Sequence, residues 1–246
     1  MKIFITGISS GIGRAMAKQL VGAGHEVWGI ARRKELLISL QDELHSPLFH
    51  FSCGDVKELQ QMTAIAQELI AAQFIPDVVV LNAGSYFYDI KKDGFDWGIY
   101  KDAFATNLDG ALFWVSTFLA DFLRRGCGLF IAISSTAALR PSGSASYSAS
   151  RAAISMAFRQ LRLSFDRSGV RFSIIHFGPI ATRQWPGRRM FLVPPPEAAA
   201  AATITLLDKR SGSYFYPWLT TTLLRVSLYV PDRVFRWVAG LLRPEH

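Results

Sequence analysis

A glycine-rich turn near the amino terminus constrains the fold of this chain more than any other feature. The turn, Gly7-Ile8-Ser9-Ser10-Gly11-Ile12-Gly13, follows the β-rich run Lys2 to Thr6 and precedes a helical stretch, Arg14 to Val21. A second β-rich run, His25 to Ile30, completes a strand–turn–helix–strand unit of about 30 residues, the layout of a dinucleotide-binding βαβ unit. The sequence therefore predicts an α/β fold with an anionic cofactor at the start of the first helix.

The three glycines of this turn have separate predicted roles. Gly7 permits the tight turn, Gly11 lets backbone N–H groups approach a pyrophosphate, and Gly13 lets the helix pack close to the strand. Ser9, Ser10 and Ile12 complete the predicted cofactor contacts of the turn. A glycine-rich loop without function is the alternative, and the position between a strand and a helix argues against it.

Composition excludes several other classes of protein. The chain has 246 residues, half of them hydrophobic, which is enough for a sizeable core in one large or two small domains. The net charge is +8, but the basic residues are scattered and no zinc-finger, RNA-recognition or helix-turn-helix pattern is present, so nucleic acid is the least favoured partner. His25 has no partner at ligand spacing, and we expect no metal site.

The cysteines and the amino-terminal residues indicate the cellular compartment of the protein. Cys53 and Cys127 form neither a disulfide framework nor a ligand set, which suits a reducing compartment. The apolar run Ile3 to Ile5 ends at Thr6 and Gly7, too early for a signal peptide. We therefore expect a cytoplasmic protein.

A second group of chemically capable residues lies between residues 133 and 151. Ser134 follows the apolar strand run Leu129 to Ile133, and Tyr147 and Arg151 stand four residues apart at the start of a helical stretch. On a helix these two side chains share a face, so a phenol, a hydroxyl and a cation would converge, as proton transfer to or from an alcohol oxygen requires. The alternative is a polar loop followed by an ordinary helix with a surface arginine.

The turn from Thr6 to Gly13, the tripeptide Asn82-Ala83-Gly84, and Ser134 with Tyr147 together closely resemble the short-chain dehydrogenase/reductase family. The resemblance runs from residue 2 to roughly residue 185 and points to the single-domain branch of the family. It implies a Rossmann-type, doubly wound, mostly parallel seven-stranded sheet with helices on both faces. We expect one domain over residues 1–246, with the cofactor and catalytic core in 1–185 and a substrate loop and C-terminal amphipathic segments in 186–246.

The resemblance also implies roles for the catalytic residues. Tyr147 would be the general acid in carbonyl reduction and the base in alcohol oxidation, while Ser134 would hold and polarise the substrate oxygen. Asn107 would bend its helix and hold a water in a proton relay, unless it is an ordinary polar helix residue. The family has a lysine four residues after the tyrosine, where this chain has Arg151, which keeps the charge but cannot release a proton.

The end of the second strand favours NADP(H) over NAD(H). An enzyme that reads the ribose 2′-hydroxyl normally has a carboxylate there, whereas this chain has Ala31-Arg32-Arg33. Arg32 or Arg33 would pair with the 2′-phosphate by charge-assisted hydrogen bonds. Alternatively, both arginines are solvated residues at the start of a helix.

By the same resemblance, several further residues would contact the cofactor. Asp55 and Val56 match the adenine-contacting pair, although Asp55 is equally a candidate N-cap for a helix from Val56 to Ala72. Small residues would let the ribose pass close to the backbone at Asn82, Ala83 and Gly84. Contacts near the nicotinamide would come from Gly178, Ile180 and Thr182.

Two long apolar helical patterns indicate an oligomer. The patterns Phe104 to Arg125 and Tyr147 to Arg167 are apolar on more than one side, and the family resemblance implies a four-helix dimer interface. We therefore expect a homodimer or homotetramer. The segment Trp185 to Pro196 resembles the mobile substrate loop, and its apolar residues suggest a small hydrophobic carbonyl or alcohol substrate.

The tail contains two amphipathic segments, Trp218 to Leu228 and Pro231 to Leu242. Each is about half of the roughly 20 residues that a membrane span needs. They would pack on the domain, cap the substrate pocket, or lie in a membrane interface, and we favour packing over interfacial binding.

Two functions fit these observations. The first is an NADP(H)-dependent oxidoreductase that acts on a hydrophobic carbonyl or alcohol. The second is a cofactor-binding protein with little turnover, which serves as a sensor or assembly partner. The presence of Tyr147, Ser134 and Asn107 together favours the enzyme.

Overall fold

The computed structural model describes residues 1–141, 143–182, 193–231 and 233–235. Its strands are β1 (Lys2–Thr6), β2 (Glu26–Ala31), β3 (Phe49–Cys53), β4 (Val78–Leu81), β5 (Ile90–Lys91), β6 (Gly94–Phe95), β7 (Gly128–Ser135), β8 (Val170–Phe177) and β9 (Ser213–Tyr216). Its α-helices are α1 (Gly11–Gly22), α2 (Lys34–Leu44), α3 (Leu59–Ala71), α4 (Trp97–Phe104), α5 (Gly110–Arg125), α6 (Ala145–Ser164), α7 (Pro196–Ile204) and α8 (Trp218–Val226).

The main sheet has seven parallel strands in the order β3-β2-β1-β4-β7-β8-β9. The predicted seven-stranded, doubly wound fold is therefore confirmed. The strand order reverses between β1 and β4, because the chain runs outward from β1 to β3 and then resumes on the other side of β1. Such a reversal opens a crevice at the carboxyl ends of the strands, where doubly wound folds bind their ligands.

Helices cover both faces of this sheet, and each face has its own apolar core. Side chains alternate along a strand, so Ile3 and Ile5 of β1 join one core whereas Phe4 joins the other. The first core packs against α1, α2 and α7, and the second against α3, α5 and α6. Burial on both faces explains why β4 is a continuous run of Val and Leu.

Two predicted helix boundaries were wrong. The pattern from Phe104 to Arg125 is not one α-helix, because a π-helical turn, Ala105–Asp109, separates α4 from α5. The helix predicted from Val56 begins at Leu59, and its N-cap is Glu58 rather than Asp55. Asp55 instead accepts a hydrogen bond from the backbone N–H of Lys57 at 3.0 Å, which forms a local turn ahead of the helix.

The described part of the tail packs on the domain, as we favoured from the sequence. In α8, Thr221 is fully buried, and just after this helix the Val230 carbonyl accepts from Nη2 of Arg140 at 2.7 Å. Among the described residues, no helix combines the length and apolar character needed to cross a bilayer. Most of the predicted substrate loop, with Trp185, and most of the second tail segment lie outside the described residues.

Candidate active site

The glycine turn joins β1 to α1 in a conformation that side chains would prevent. Gly7 has a φ of 74°, and a Cβ there would lie 2.8 Å from Cα of Ala83. A Cβ on Gly13 would overlap the Gly7 carbonyl oxygen and lie 2.7 Å from Nδ2 of Asn82. The tight turn and the close helix packing that the spacing predicted are both present.

The end of β4 holds the turn in place. Nδ2 of Asn82 donates to the carbonyl oxygens of Thr6 and Gly7, each at 3.0 Å. The backbone N–H of Ala83 donates to Oγ1 of Thr6 at 2.9 Å. The side chain of Asn82 therefore fixes the turn, and the predicted passage of a ribose beside this tripeptide remains a prediction.

The two arginines after β2 have different surroundings. Nη2 of Arg33 donates to Oγ of Ser9 at 3.0 Å and to Oγ of Ser10 at 2.7 Å. Arg32 is largely exposed, and its Nη1 lies 3.5 Å from Oδ2 of Asp55. Arg33 thus joins the serine hydroxyls at the N-terminus of α1 in one polar cluster, where a phosphate would meet a cation, two hydroxyls and the helix dipole.

One open cavity of about 1130 Å³ lies at the carboxyl edge of the sheet. Gly13 and Asn107 are the two predicted site residues that do not line it. The cavity is lined by the others: Gly7, Ser9, Ser10, Gly11, Ile12, Arg32, Arg33, Asp55, Val56, Asn82, Ala83, Gly84, Ser134, Tyr147, Arg151, Gly178, Ile180 and Thr182. The fold therefore brings together residues that are up to 175 positions apart in the sequence, from Gly7 to Thr182.

Tyr147 lies in the first turn of α6, and neighbouring aromatic and cationic groups surround its ring. The Tyr86 ring centroid is 4.9 Å from that of Tyr147, and Cζ of Arg151 is 5.2 Å from the same ring. Ser144 caps the helix by accepting the Tyr147 backbone N–H at 3.1 Å. The predicted pairing of Tyr147 with Arg151 on one helix face is present.

Asp89, which the sequence did not single out, holds the N-terminus of α6. Its fully buried carboxylate accepts the backbone N–H of Ala145 at 3.2 Å and that of Ser146 at 2.6 Å. Burial alone would raise the pKa of Asp89, but hydrogen bonds from Ser146 and Ser144 outweigh burial and hold the pKa below its usual value. A negative charge at a helix N-terminus is also stabilised by the helix dipole.

Arg151 is a buried cation that no carboxylate of the described residues neutralises. Only 6% of it is exposed, and none of the ion pairs among the described residues includes it. Nη1 donates to the Ile133 carbonyl at 3.0 Å, whereas the buried Nε has no hydrogen-bond partner. The guanidinium occupies the space beside Gly84, where a Cβ would overlap Nη2 and lie 2.9 Å from Cζ.

Asn107 sits in the π-helical turn and joins the elements around the site. Its Oδ1 accepts the backbone N–H of Ser85 at 3.0 Å, and its Nδ2 donates to Oγ of Ser150 at 3.0 Å. The structure places Asn107 in a break between two α-helices, and the bend and the bound water predicted for it remain predictions. From this π turn the buried amide bonds both to the loop that follows β4, at Ser85, and to α6, at Ser150.

The two serines at the end of β7 are directed to different places. Ser134 is buried, with Oγ 3.0 Å from Oγ of Ser155 and 3.3 Å from the Arg151 carbonyl, so its hydroxyl faces α6. Ser135 is half-buried, lines the same cavity, and leaves the strand on the opposite side. Ser135 was not among the predicted site residues, although strand alternation makes it the alternative to Ser134.

Two more residues beside the cavity were not foreseen. His176 of β8 is buried, with Nδ1 3.4 Å from the Ser135 carbonyl and its ring stacked on Phe215, and burial lowers its pKa. Arg140 lines the cavity and donates from Nη2 to the carbonyls of Ser227 and Val230, the latter at 2.7 Å. Neither residue belongs to a local motif, so only the fold reveals them.

Comparison with known proteins supplies a family for this arrangement. The profile described as "short chain dehydrogenase" matches residues 1–189. The NADPH-dependent pterin aldehyde reductase of Arabidopsis thaliana is 34% identical over 138 residues, which cover 54% of this chain and 55% of that reductase. An uncharacterized oxidoreductase of Mycobacterium tuberculosis is 28% identical over 243 residues, 96% of each chain.

Solved structures agree on the fold. Serine dehydrogenase in its closed form, complexed with NADP⁺, superposes with a TM-score of 0.80 over 87% of this chain and 94% of that one, at 22% identity. An alcohol dehydrogenase from the archaeon Thermococcus sibiricus, complexed with 5-hydroxy-NADP, superposes with a TM-score of 0.77 over 87% of this chain and 95% of that one, at 24% identity.

Proposed function

The chain belongs to the short-chain dehydrogenase/reductase family, and on that premise we propose an NADP(H)-dependent oxidoreductase that reduces a carbonyl or oxidises an alcohol. Its substrate is a small hydrophobic molecule, and Tyr147 is the general acid and base. One observation carries the proposal. The phenol of Tyr147, the buried charge of Arg151 and the glycine turn all border the same cavity.

The cavity residues fit a dinucleotide. The turn around Gly7 brings backbone, with no side chain, to the cavity wall, and Arg33 with Ser9 and Ser10 forms a cationic, hydroxyl-rich site suited to a 2′-phosphate. Arg151 lines the cavity, and its guanidinium would donate to ribose hydroxyls there. When bound, a nicotinamide cofactor gives or takes the hydride.

The preference for NADP(H) rests on charge. Arg32 and Arg33, directly after β2, are charged side chains that line the cavity, and the residue before them, Ala31, has no carboxylate to repel a phosphate. Asp55 lies 3.5 Å from Arg32 and partly neutralises it, which leaves Arg33 as the main partner. Asp55 and Val56 would contact the adenine.

The proton is handled by the residues of α6. In reduction, Tyr147 donates its hydroxyl proton to the carbonyl oxygen of the substrate, and in oxidation it accepts the proton of the alcohol. The guanidinium of Arg151, close to the ring and buried without a counter-ion, stabilises the phenolate that this transfer leaves. Asn107 joins α6 to the loop after β4 and would position a water for proton exchange.

A serine hydroxyl would donate to the substrate oxygen, and two serines are candidates. Ser134 holds the position expected from the family, but its hydroxyl is engaged with Ser155. Ser135 lines the cavity and is more exposed. Ser134→Ala and Ser135→Ala are matched variants, and the serine whose removal lowers kcat more strongly is the one that polarises the substrate.

Apolar and aromatic side chains surround the part of the cavity near Tyr147, which supports a hydrophobic substrate. They are Tyr86, Tyr88, Leu224 and Phe235. The relative named as a pterin aldehyde reductase makes aromatic aldehydes the first class to test. We also propose a homodimer or homotetramer, because α6 leaves Met156 and Leu163 largely exposed on its outer side.

The test is oxidation of NADPH, followed by absorbance, across aromatic and aliphatic aldehydes, ketones and quinones. Turnover that disappears in Tyr147→Phe, with NADPH binding retained, supports the proposal. Cofactor binding without turnover on any substrate would instead favour a sensor or assembly partner.

A further inference from the structure

Helix α8 exposes an apolar face to solvent. Trp218, Leu223 and Val226 are 73%, 61% and 60% exposed, and their spacings of five and three residues place them on one side of the helix. Tyr229, in the turn that follows, is 93% exposed. A contiguous group of large exposed apolar residues marks an interaction surface more often than a chance arrangement.

The opposite side of α8 is fixed to the domain, so this exposure does not come from a detached helix. Thr221 is fully buried, and Leu224 lines the cavity. Arg140 anchors the segment after α8 through the carbonyls of Ser227 and Val230. The helix therefore presents its apolar side outward in a defined position beside the cavity.

The charges near this face are mainly positive. Arg225 and Arg233 are exposed, and residues 213–236 contain three arginines and a single acid, Asp232. The chain as a whole carries a net charge of +8. An apolar helix face with flanking Trp, Tyr and Arg residues has the composition of a helix that lies in the interface of an anionic membrane.

We propose that α8 and the turn after it bind an anionic phospholipid surface. Trp218, Leu223, Val226 and Tyr229 enter the interface, and Arg225 with Arg233 contacts the head groups. The nine residues of α8 are too few to span a bilayer, so the contact is peripheral. If the proposed function holds, the contact would place the cavity next to a lipid phase from which a hydrophobic substrate enters.

A second copy of the chain is the competing occupant of this face. In a two-fold symmetric contact through α8, Arg225 and Arg233 would approach the same residues of the other copy. The two copies together would bring four of these arginines into the contact. Within residues 213–236, the sequence of each copy contains a single acid, Asp232. Anionic lipid offers the opposite charge, which is why we favour it.

The experiment is co-sedimentation of the full chain with vesicles of phosphatidylglycerol and phosphatidylcholine, or of phosphatidylcholine alone. We expect binding to the anionic vesicles that weakens in high salt, and little binding to the neutral ones. Trp218→Ser with Leu223→Ser should reduce the partition coefficient at least about tenfold. Arg233→Gln should reduce it about fivefold.

The matched control is Leu59→Ser with Ile70→Ser on α3, which removes two apolar side chains of similar exposure and should leave vesicle binding unchanged. If the Trp218/Leu223 variant does not fold, Val226→Ser and Tyr229→Ser replace it. Circular dichroism and NADPH binding check that each variant is native.

Three results would overturn the proposal. The first is wild-type protein that stays in the supernatant with anionic vesicles. The second is equal binding to neutral and anionic vesicles. The third is a loss of oligomeric state in the α8 variants, measured by analytical ultracentrifugation, because that result assigns the face to a second copy. Vesicle binding is measured without substrate, so a failure of the proposed oxidoreductase activity leaves this test intact.

Discussion

Gly84→Ala should destabilise the protein through Arg151, which lies 67 positions away in the sequence. The added Cβ would overlap Nη2 of Arg151 and lie 2.9 Å from its Cζ, so the guanidinium must move. Movement breaks the buried bond from Nη1 to the Ile133 carbonyl, now 3.0 Å long. A hydrogen bond to a charged group is worth about 1.5–3 kcal/mol, and that sets the expected loss.

The backbone itself should accept alanine at this position. Gly84 has no positive φ, so the substitution would otherwise stabilise by about 0.4–1 kcal/mol through the unfolded state. The expected net loss in the free energy of unfolding is therefore about 1–2 kcal/mol. Gly22→Ala is the control, because a Cβ there meets no atom within 4 Å and should be neutral or slightly stabilising.

A double-mutant cycle with Arg151→Ala isolates the clash. Urea unfolding, followed by tryptophan fluorescence without cofactor, gives the free energy of each variant. In the Arg151→Ala background, Gly84→Ala should not lower the free energy of unfolding. The coupling energy between the two substitutions should therefore be about 1.5–3 kcal/mol. The same loss in both backgrounds would show that Gly84 does not make room for the guanidinium.

Three further predictions concern the cofactor, the helix N-terminus and the active-site cation. Replacing Arg32 and Arg33 together by Ala should weaken NADPH binding by about 2–4 kcal/mol in calorimetry and spare NADH, and Arg33→Ala alone should account for most of the loss. The depressed pKa of Asp89 means that its stabilising effect is present at neutral pH and lost as the pH falls below the unfolded value of about 3.9. In urea at pH 7, Asp89→Asn should therefore have a free energy of unfolding about 1.5–3 kcal/mol below that of wild type. If this difference in free energy stayed unchanged at acid pH, the assignment to the Asp89 charge would be contradicted. Arg151→Lys should raise kcat and shift the lower limb of the pH profile of oxidation, whereas Arg151→Met should lower both kcat and cofactor affinity at least about tenfold, and full activity of the Met variant would refute the role of the charge.

The sequence was informative wherever function depends on local spacing. The turn from Gly7 to Gly13 needs residues without side chains at fixed intervals, so its conformation and its place after β1 followed from the pattern. The same holds for Tyr147 and Arg151, because four residues on a helix amount to one turn. The parallel, seven-stranded sheet came from the family resemblance and was confirmed.

Contacts between distant segments could not be foreseen. Asp89 accepts hydrogen bonds from two backbone N–H groups at the N-terminus of α6, which are 56 and 57 positions away in the sequence. No sequence motif surrounds Asp89. His176 reaches the Ser135 carbonyl across the β7–β8 pairing, and Arg140 reaches the tail about 90 residues later. Each of these bonds exists only because the sheet order brings the ends of separate strands together.

Ser134 remains the predicted serine, and the structure adds Ser135 as a second candidate, because both line the cavity. Adjacent residues of a strand point to opposite sides, and here the Ser134 hydroxyl is bonded toward α6 while Ser135 is the more exposed of the two. The sequence contains both serines and no signal of which side each one takes. The π turn at Asn107 was likewise invisible in the apolar pattern, which continues through it.

Transfer of deuterium from NADPH labelled at nicotinamide C4 to a carbonyl substrate tests the central claim most directly. With a substrate from the aromatic aldehyde class, mass spectrometry of the alcohol product should find one deuterium on the former carbonyl carbon. Tyr147→Phe should bind the labelled cofactor and form no labelled alcohol. Consumption of NADPH without deuterium in the product, or labelled product formed equally well by Tyr147→Phe, would contradict the account.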